Sequence, residues 1–329
     1  MELSVVLISK NQAWNMNRLI GSVLQNTSAI SSREIVLVDS ASTDGTAKVA
    51  AQYPLRVLRL RPTQHLTPAA GRYIGYKHTT GKFILFLDGD MELVEGWLEK
   101  ALNILRDEPE IALVTGEVVD LPVEAKTTDK PPLSSNTPTG TIEILNSGGA
   151  AIYRRSALEE VGTFNPYLYS DEEPELCIRI RYGGYRIVRL EYPVAYHYTA
   201  VRDKLSSLYG RWKRRLYLGA GQSIRYHVGS EILWAYIKER GFGLIPALGL
   251  AMGAIALIWA VVFGERFWLY MWLFSVSAVF IGDAYRKQSF YQALSSFLKR
   301  IFIADGTVRG FLLNPLDVDE YPDQFEQIK

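Results

Sequence analysis

The chain is nearly devoid of cysteine. Cys177 stands alone among 329 residues, which excludes an intramolecular disulfide and a cysteine-rich metal site and suits a reducing compartment. It also has little net charge: 36 lysines and arginines against 35 acids leave +1, so the overall balance gives no case for nucleic acid. The first apolar run, Leu3 to Ile8, is too short for the core of a secretion signal and reads as a strand. No fixed period recurs.

What is present starts with 48% hydrophobic residues. That is enough for a sizeable core in one or two domains of roughly 100–200 residues each. Residues 3–8 read as strand one, and Asn11 to Asn26 carries apolar residues at helical spacing (Leu19, Ile20, Val23, Leu24). Glu34 to Val38 reads as a second strand ending at Asp39. Ser42-Thr43-Asp44-Gly45-Thr46 is turn chemistry that caps a helix from Thr46 to Gln52. Leu55 to Leu60 alternates apolar residues with arginine as a third, more exposed strand. Pro68 to Thr79 is a helix, and Lys82 to Leu87 a fourth strand. Strands alternating with helices at this spacing imply a mostly parallel sheet.

The fourth strand stops at Asp88-Gly89-Asp90. Ligands of open α/β sheets bind outside the carboxyl ends of the strands. Two hard oxygen donors there suit a divalent cation that also holds a diphosphate, although Asp-Gly is also ordinary turn chemistry. Asp39 puts a further acid on the same rim. Residues 121–140 hold four prolines and no periodicity, and read as a long loop.

Composition shifts near residue 241. Phe242 to Phe263 contains no charge, Glu265 and Arg266 interrupt, and Phe267 to Gly282 is uncharged again. The first stretch matches the roughly 20 apolar residues needed to cross a bilayer, and the pair reads as a helical hairpin. Lys238 and Arg240 before it, and Arg286 and Lys287 after it, place both outer ends on the cytoplasmic side. Two buried core helices, or helices lying in the interface, are the alternatives. Between 201 and 240, Arg202, Lys204, Arg211, Lys213, Arg214, Arg215 and Arg225 interleave with Leu205, Leu208, Tyr209, Trp212, Leu216 and Tyr217. A basic amphipathic segment before a hydrophobic hairpin reads as a membrane-surface element; a solvated basic face is the bland alternative. Residues 288–314 read as a second interfacial helix, and Asp317 to Lys329 as a polar, frayed tail.

These segments together resemble an inverting glycosyltransferase of family 2. Ser4-Val5-Val6-Leu7-Ile8-Ser9-Lys10-Asn11 is similar to the opening strand and turn. Ile35 to Thr46 is similar to the nucleotide-binding stretch, and Ala70-Gly71-Arg72-Tyr73-Ile74-Gly75 to the Ala-Arg-Asn-x-Gly helix. Asp88-Gly89-Asp90 resembles the metal motif, and Gly148-Gly149-Ala150 with Val161-Gly162-Thr163-Phe164 the acceptor half. Asp171-Glu172-Glu173-Pro174-Glu175-Leu176-Cys177-Ile178-Arg179 resembles the segment carrying the catalytic acid. The likeness covers residues 3–200. It departs at Asp39-Ser40, where the family often has two aspartates, and at Glu173, which aligns with the family's catalytic aspartate.

The resemblance implies a GT-A fold, α/β and Rossmann-like with a mostly parallel sheet, over residues 1–200. Basic amphipathic helices over 201–240, the hairpin over 241–287 and an interfacial helix with a polar tail over 288–329 would follow. It implies transfer from a nucleotide-diphosphate sugar, with uridine diphosphate as the default, and a divalent metal, Mn2+ or Mg2+. Glu173, with Glu172 as runner-up, would be the general base. Ser9, Asn11, Asp39, Ser42, Arg72, Asp88, Gly148 and Gly149 would line the donor, Arg72 reaching the nucleobase or diphosphate unless it lies on a solvated helix face. Asp88, Asp90 and His197 would serve the metal, whereas His65 and His78 are structural or surface residues. Glu175, Arg211, Trp212, Arg214 and Arg215 would face an acceptor or membrane lipid. The acceptor is expected to be lipid-linked or a saccharide. In the variant that uses polyprenyl phosphate itself, a phosphate oxygen attacks and a strong base is less needed, and the Glu172–Glu175 cluster argues mildly against it. A nucleotidyltransferase would show a glycine-rich phosphate loop after the first strand, and Ser9-Lys10-Asn11-Gln12 has no glycine. A non-catalytic scaffold is disfavoured by the retained acids. An oligomer remains open.

Overall fold

The computed structural model describes residues 1–131, 140–200 and 204–329. Arg202, the Lys204 side chain and the central part of the proline-rich loop, 132–139, lie outside the described residues. The chain forms two units. The first takes residues 1–167, 172–201 and 316–329, and the second 168–171 and 202–315.

In the first unit, β1 (Leu3–Ser9) is buried along its whole length. Leu3, Val5 and Leu7 join one apolar core and Val6 and Ile8 the other, because alternate side chains leave a strand on opposite faces. After β1 come α1 (Met16–Asn26), β2 (Arg33–Asp39), α2 (Thr46–Ala50), β3 (Arg56–Leu60), α3 (Pro68–Lys77) and β4 (Phe83–Asp88). The strands β3, β2, β1 and β4 lie side by side and parallel. Beyond the acidic motif follow β5 (Met91–Leu93), α4 (Trp97–Asp107), β6 (Ile111–Pro122), β7 (Thr141–Glu143), β8 (Ala150–Arg154), α5 (Arg155–Val161), α6 (Glu172–Tyr182) and β9 (Arg186–Thr199). Here the sheet turns mixed: β8 runs antiparallel to β4 and β6, while β6 and β9 pair in parallel. The expected loop at 121–140 starts later than its prolines suggest, because β6 extends through Pro122.

Two expectations about this unit are corrected. The first helix begins at Met16 rather than Asn11, because Asn11 adopts a left-handed φ of 56° and bonds across to the Ser42–Thr43 turn. The tail is not frayed: β10 (Phe325–Gln327) pairs antiparallel with β3 and closes that edge of the sheet. Tyr321, 2% exposed, packs edge-on against Tyr73 and Tyr167 and donates its hydroxyl to the His65 carbonyl at 2.8 Å. A chain ending before residue 316 is expected to lose about 3–5 kcal/mol, the usual cost of deleting a buried aromatic, and to self-associate through the bared edge of β3. Denaturant unfolding and light scattering check this; full stability in the shortened chain would refute it.

In the second unit, the basic segment read as amphipathic helices forms three: α7 (Lys204–Lys213), α8 (Gly219–Tyr226) and α9 (Ile232–Arg240). Arg215 and Gly229, both at left-handed φ, interrupt it. Then come α10 (Leu244–Phe263), α11 (Phe267–Lys287) and α12 (Phe290–Leu312). α8 packs tightly on α12, where a Cβ on Gly310 would stand 2.1 Å from the Leu218 carbonyl oxygen. α10 and α11 are long and apolar enough to cross a membrane and leave most of their surface outside any core. Twenty residues of α10 rise about 30 Å at 1.5 Å each, the thickness of a hydrocarbon core.

Candidate active site

The site forms where the parallel strands end. Register pairs Ser9 with Asp39 and Ile8 with Asp88, so the two strand-terminal acids share one rim. In the turn after β1, the Asn11 amide donates to Ser42 Oγ at 2.8 Å and Asn11 Oδ1 accepts from the Thr43 amide at 2.8 Å. Asp39 is fully buried; its Oδ2 accepts from the Ser42 amide at 3.1 Å and sits 3.5 Å from Arg59 Nε. Burial raises its pKa from the ordinary aspartate value, against the Ser42 hydrogen bonds and Arg59. Its Oδ1 and Ser9 Oγ are buried polar atoms without a protein partner among the described residues, which suits them to a bound polar ligand. Ser9, Asn11, Asp39 and Ser42 are thus brought together.

Arg72 occupies a different place from the one expected. Thr67 caps α3 by accepting from the Ala70 amide at 3.0 Å, with Pro68 in the first turn. Gly71 and Gly75 then seat the helix on β1: a Cβ on Gly75 would stand 2.1 Å from Val6 Cγ1. Arg72 is buried rather than solvated, at 1% exposure, and faces acids rather than a nucleobase. Its Nη1 donates to Glu172 at 2.9 Å, and its Nη2 to Asp88 at 2.9 Å and Glu173 at 2.7 Å. Three carboxylates around one guanidinium leave an acidic excess in a low-dielectric place. Burial, with Glu173 close by, pushes Glu172 up to about 8, and burial pushes Asp88 up to about 7 against the pull of Arg72. Glu172 is nearly closed off, whereas the Glu173 side chain keeps 17% of its surface open. Both stand in the first turn of α6, where the helix dipole favours acids.

Asp90 faces the other way. Asn15, fully buried at the start of α1, fixes the motif's backbone by donating to the Gly89 and Met91 carbonyls at 3.1 and 2.9 Å. Asp90 Oδ2 lies 3.5 Å from His197 Nε2, and His197 Nδ1 lies 2.7 Å from Asp120 Oδ1. The two carboxylates, Asp90 first, push the imidazole up to about 9 against burial. A histidine whose Nδ1 is held by a carboxylate presents Nε2 as a metal ligand. Among the described residues no group of three or more ligating side chains converges on a point. The protein therefore offers one oxygen and one nitrogen, which fits a hard cation that takes its remaining ligands from water and a diphosphate. Asp120 and Asn15 were not found from the sequence; only the register of β6 on β9, which pairs Asp120 with His197, exposes the first.

Gly148 and Gly149 differ. A Cβ on Gly149 would stand 2.0 Å from Asp88 Oδ2, whereas Gly148 has open space around it. Gly149→Ala is expected to displace Asp88 and cost about 1–3 kcal/mol as overpacking, while Gly148→Ala is tolerated. Melting curves of the two variants check this; equal effects would refute it.

Of the expected acceptor or membrane residues, Glu175 and Trp212 are tied up within their own units, whereas Arg211, Arg214 and Arg215 stay exposed. Glu175, 1% exposed, forms a two-point pair with Arg179 at 2.7 and 2.8 Å, so it does not face an acceptor. Trp212 donates to Asp305 at 2.7 Å and stacks with Tyr209, so its polar end is taken within the second unit. Arg215 donates to the Tyr169 hydroxyl at 2.8 Å, and Arg211 lies over the Tyr217 ring. Arg214 remains exposed and turns back to the Gly210 carbonyl at 3.3 Å. His65 contacts the Tyr167 carbonyl at 3.1 Å and His78 the tail's Asp323 at 2.6 Å.

The model of glycosyl transferase family 2 matches residues 4–162. Those residues are a family 2 glycosyl transferase domain. The pre-mycofactocin glycosyltransferase of Mycobacterium tuberculosis is 29% identical over 225 residues, 61% of this chain and 44% of its own length. Glycosyltransferase AglE of Haloferax volcanii is 28% identical over 106 residues, 31% of this chain and 35% of its own. The chain thus spans under half the length of either relative. Among solved structures, mannosyltransferase PcManGT from Pyrobaculum calidifontis, in complex with GDP-Man and Mn2+, superposes with a TM-score of 0.58 at 17% identity, over 94% of this chain and 87% of that one. S. aureus TarS 1–349 with UDP-GlcNAc gives 0.53 at 19% identity, over 94% and 90%. The family 2 domain therefore has the GT-A fold. In the first unit, which extends beyond the matched residues, the strand-end acids, the buried arginine and the Asp90–His197–Asp120 row gather on one rim.

Proposed function

We propose that the chain is an inverting glycosyltransferase that moves a sugar from a nucleotide-diphosphate sugar to an acceptor hydroxyl. The observation that carries this reading is the pairing of a two-donor cation site, Asp90 and His197, with a second acidic centre at Glu173 on the same rim. Asp39, Ser9, Asn11 and Ser42 hold the nucleoside end. A divalent metal, held by Asp90 and His197 with Asp88 alongside, would neutralise charge gathering on the leaving diphosphate. Glu173 accepts the hydroxyl proton as the acceptor oxygen bonds to the anomeric carbon and the bond to the diphosphate breaks from the opposite face. Arg72 fixes the angle of that carboxylate by holding its Oε1. Glu172 is too enclosed to meet an acceptor and serves to hold Arg72.

The acceptor in this reading is lipid-linked or a saccharide presented at a membrane. α10 and α11 span the bilayer as a hairpin, and Lys238, Arg240, Arg286 and Lys287 at its outer ends put the enzyme on the cytoplasmic face. Uridine and guanosine diphosphate sugars are tested by thermal stabilisation with and without Mn2+, since a ligand of the folded state raises its apparent stability. At least one donor should stabilise the chain, and more so with the metal. Asp90→Asn should remove the metal-dependent part. No response from any donor overturns the reading.

A further inference from the structure

A groove of about 1040 Å³ runs along α10, α11 and α12, at the large end of small-molecule sites. Its length is apolar and aromatic, with Trp259, Trp268 and Trp272 on its wall. One cation, Arg300, also lines it. Arg300 Nη1 is buried without a protein partner among the described residues, while Nη2 pairs with Asp283 at 3.1 Å. Asp283 is buried and already receives Arg286 at 3.3 Å and Lys287 at 2.9 Å. One carboxylate against three cations leaves a surplus of two positive charges. That surplus sits at the end where α10 starts and α11 finishes; the tryptophans lie further along the hairpin.

We infer that this groove binds one long-chain lipid with an anionic phosphate head. The chain lies along the tryptophan wall and the phosphate meets Arg300, with the Lys287 ammonium beside it on Asp283. A groove filled only by bulk lipid has no use for an unpartnered guanidinium nitrogen in its wall; a phosphate oxygen satisfies it. Each nearby cation favours an anionic head about fivefold. The inference rests on α10 and α11 being membrane helices, and does not depend on the transfer reaction.

The test uses the full chain in phosphatidylcholine vesicles that carry a minor fraction of phosphatidylglycerol. Bromine on the acyl chains quenches nearby tryptophan. In one preparation the bromine is on the phosphatidylglycerol, and in the other on an equal fraction of the phosphatidylcholine. Two surplus cations at about fivefold each favour the anionic head roughly 25-fold, so quenching should be at least fivefold stronger in the first. Arg300→Gln with Lys287→Gln should abolish that preference, keep quenching by the brominated phosphatidylcholine, and regain part of the preference when Arg300→Lys replaces Arg300→Gln. Equal quenching in both preparations overturns the inference and leaves only a bulk-lipid contact. No quenching in either overturns it together with the membrane reading, while donor stabilisation would still stand.

Discussion

Replacing Glu173 with glutamine is expected to lower turnover 10²–10⁴-fold, the usual contribution of a positioned general base, while leaving donor affinity within about twofold. The change is nearly isosteric. The glutamine Oε1 can still accept from Arg72 Nη2, which meets the native oxygen at 2.7 Å, so the frame of the site persists while the proton acceptor is lost. Steady-state kinetics with a donor titration separate the two effects. Unchanged turnover would move the base elsewhere; lost donor binding would make Glu173 a structural residue. Glu172→Gln is the informative contrast, since that side chain is 6% exposed and holds Arg72 from behind. Its effect should fall on stability.

Arg72→Met is expected to cost about 3–5 kcal/mol, because removing one side of a buried ionic cluster strands the other. Here it strands three carboxylates at once. A lysine would not rescue it, since a single ammonium cannot make the fork-shaped contacts of a guanidinium. The penalty should depend on pH. Glu172, raised from 4.5 to about 8, is a carboxyl whose folded value exceeds its unfolded one. Its contribution to stability is complete below 4.5 and fades as pH rises through about 8. Without Arg72 the ionised form is less tolerated still and the carboxyl keeps its proton to higher pH, so the gap between native and variant proteins should widen as pH rises from 7 to 9, through the native value of about 8. Denaturant unfolding at the two pH values measures it. A gap that stays constant would mean that the cluster does not carry the cost.

The legible part of this fold is the part written in contiguous residues. β1, β2 and β4 announce themselves as apolar runs that stop at polar or acidic rim residues, and their register then puts Asp39 and Asp88 together. The hairpin announces itself by lacking charge. The acid cluster was legible only as separate motifs. Arg72 meets Asp88 across 16 positions, and Glu172 and Glu173 across 100 and 101, so no local pattern tells whether its guanidinium faces a nucleobase or acids. Asp120 reaches His197 across 77 positions, from just before the stretch that reads as a loop. β10 has three residues and little apolar alternation; its pairing is decided by the free edge of β3, not by its own composition. The breaks at Arg215 and Gly229 depend on backbone angles, which hydrophobic periodicity does not report.

The return of residues 316–329 to the first unit orders events on the ribosome. β10 is translated after α10, α11 and α12, so the nascent sheet waits, one strand short, while those helices are made. At about 5–20 residues per second, that wait lasts seconds. During it the outer side of β3 offers unpaired amides and carbonyls to any chain nearby. Arg56 and Arg59, two charged side chains in a strand of five residues, are the kind of edge residues that keep such a strand from pairing with a neighbour before its own partner is made.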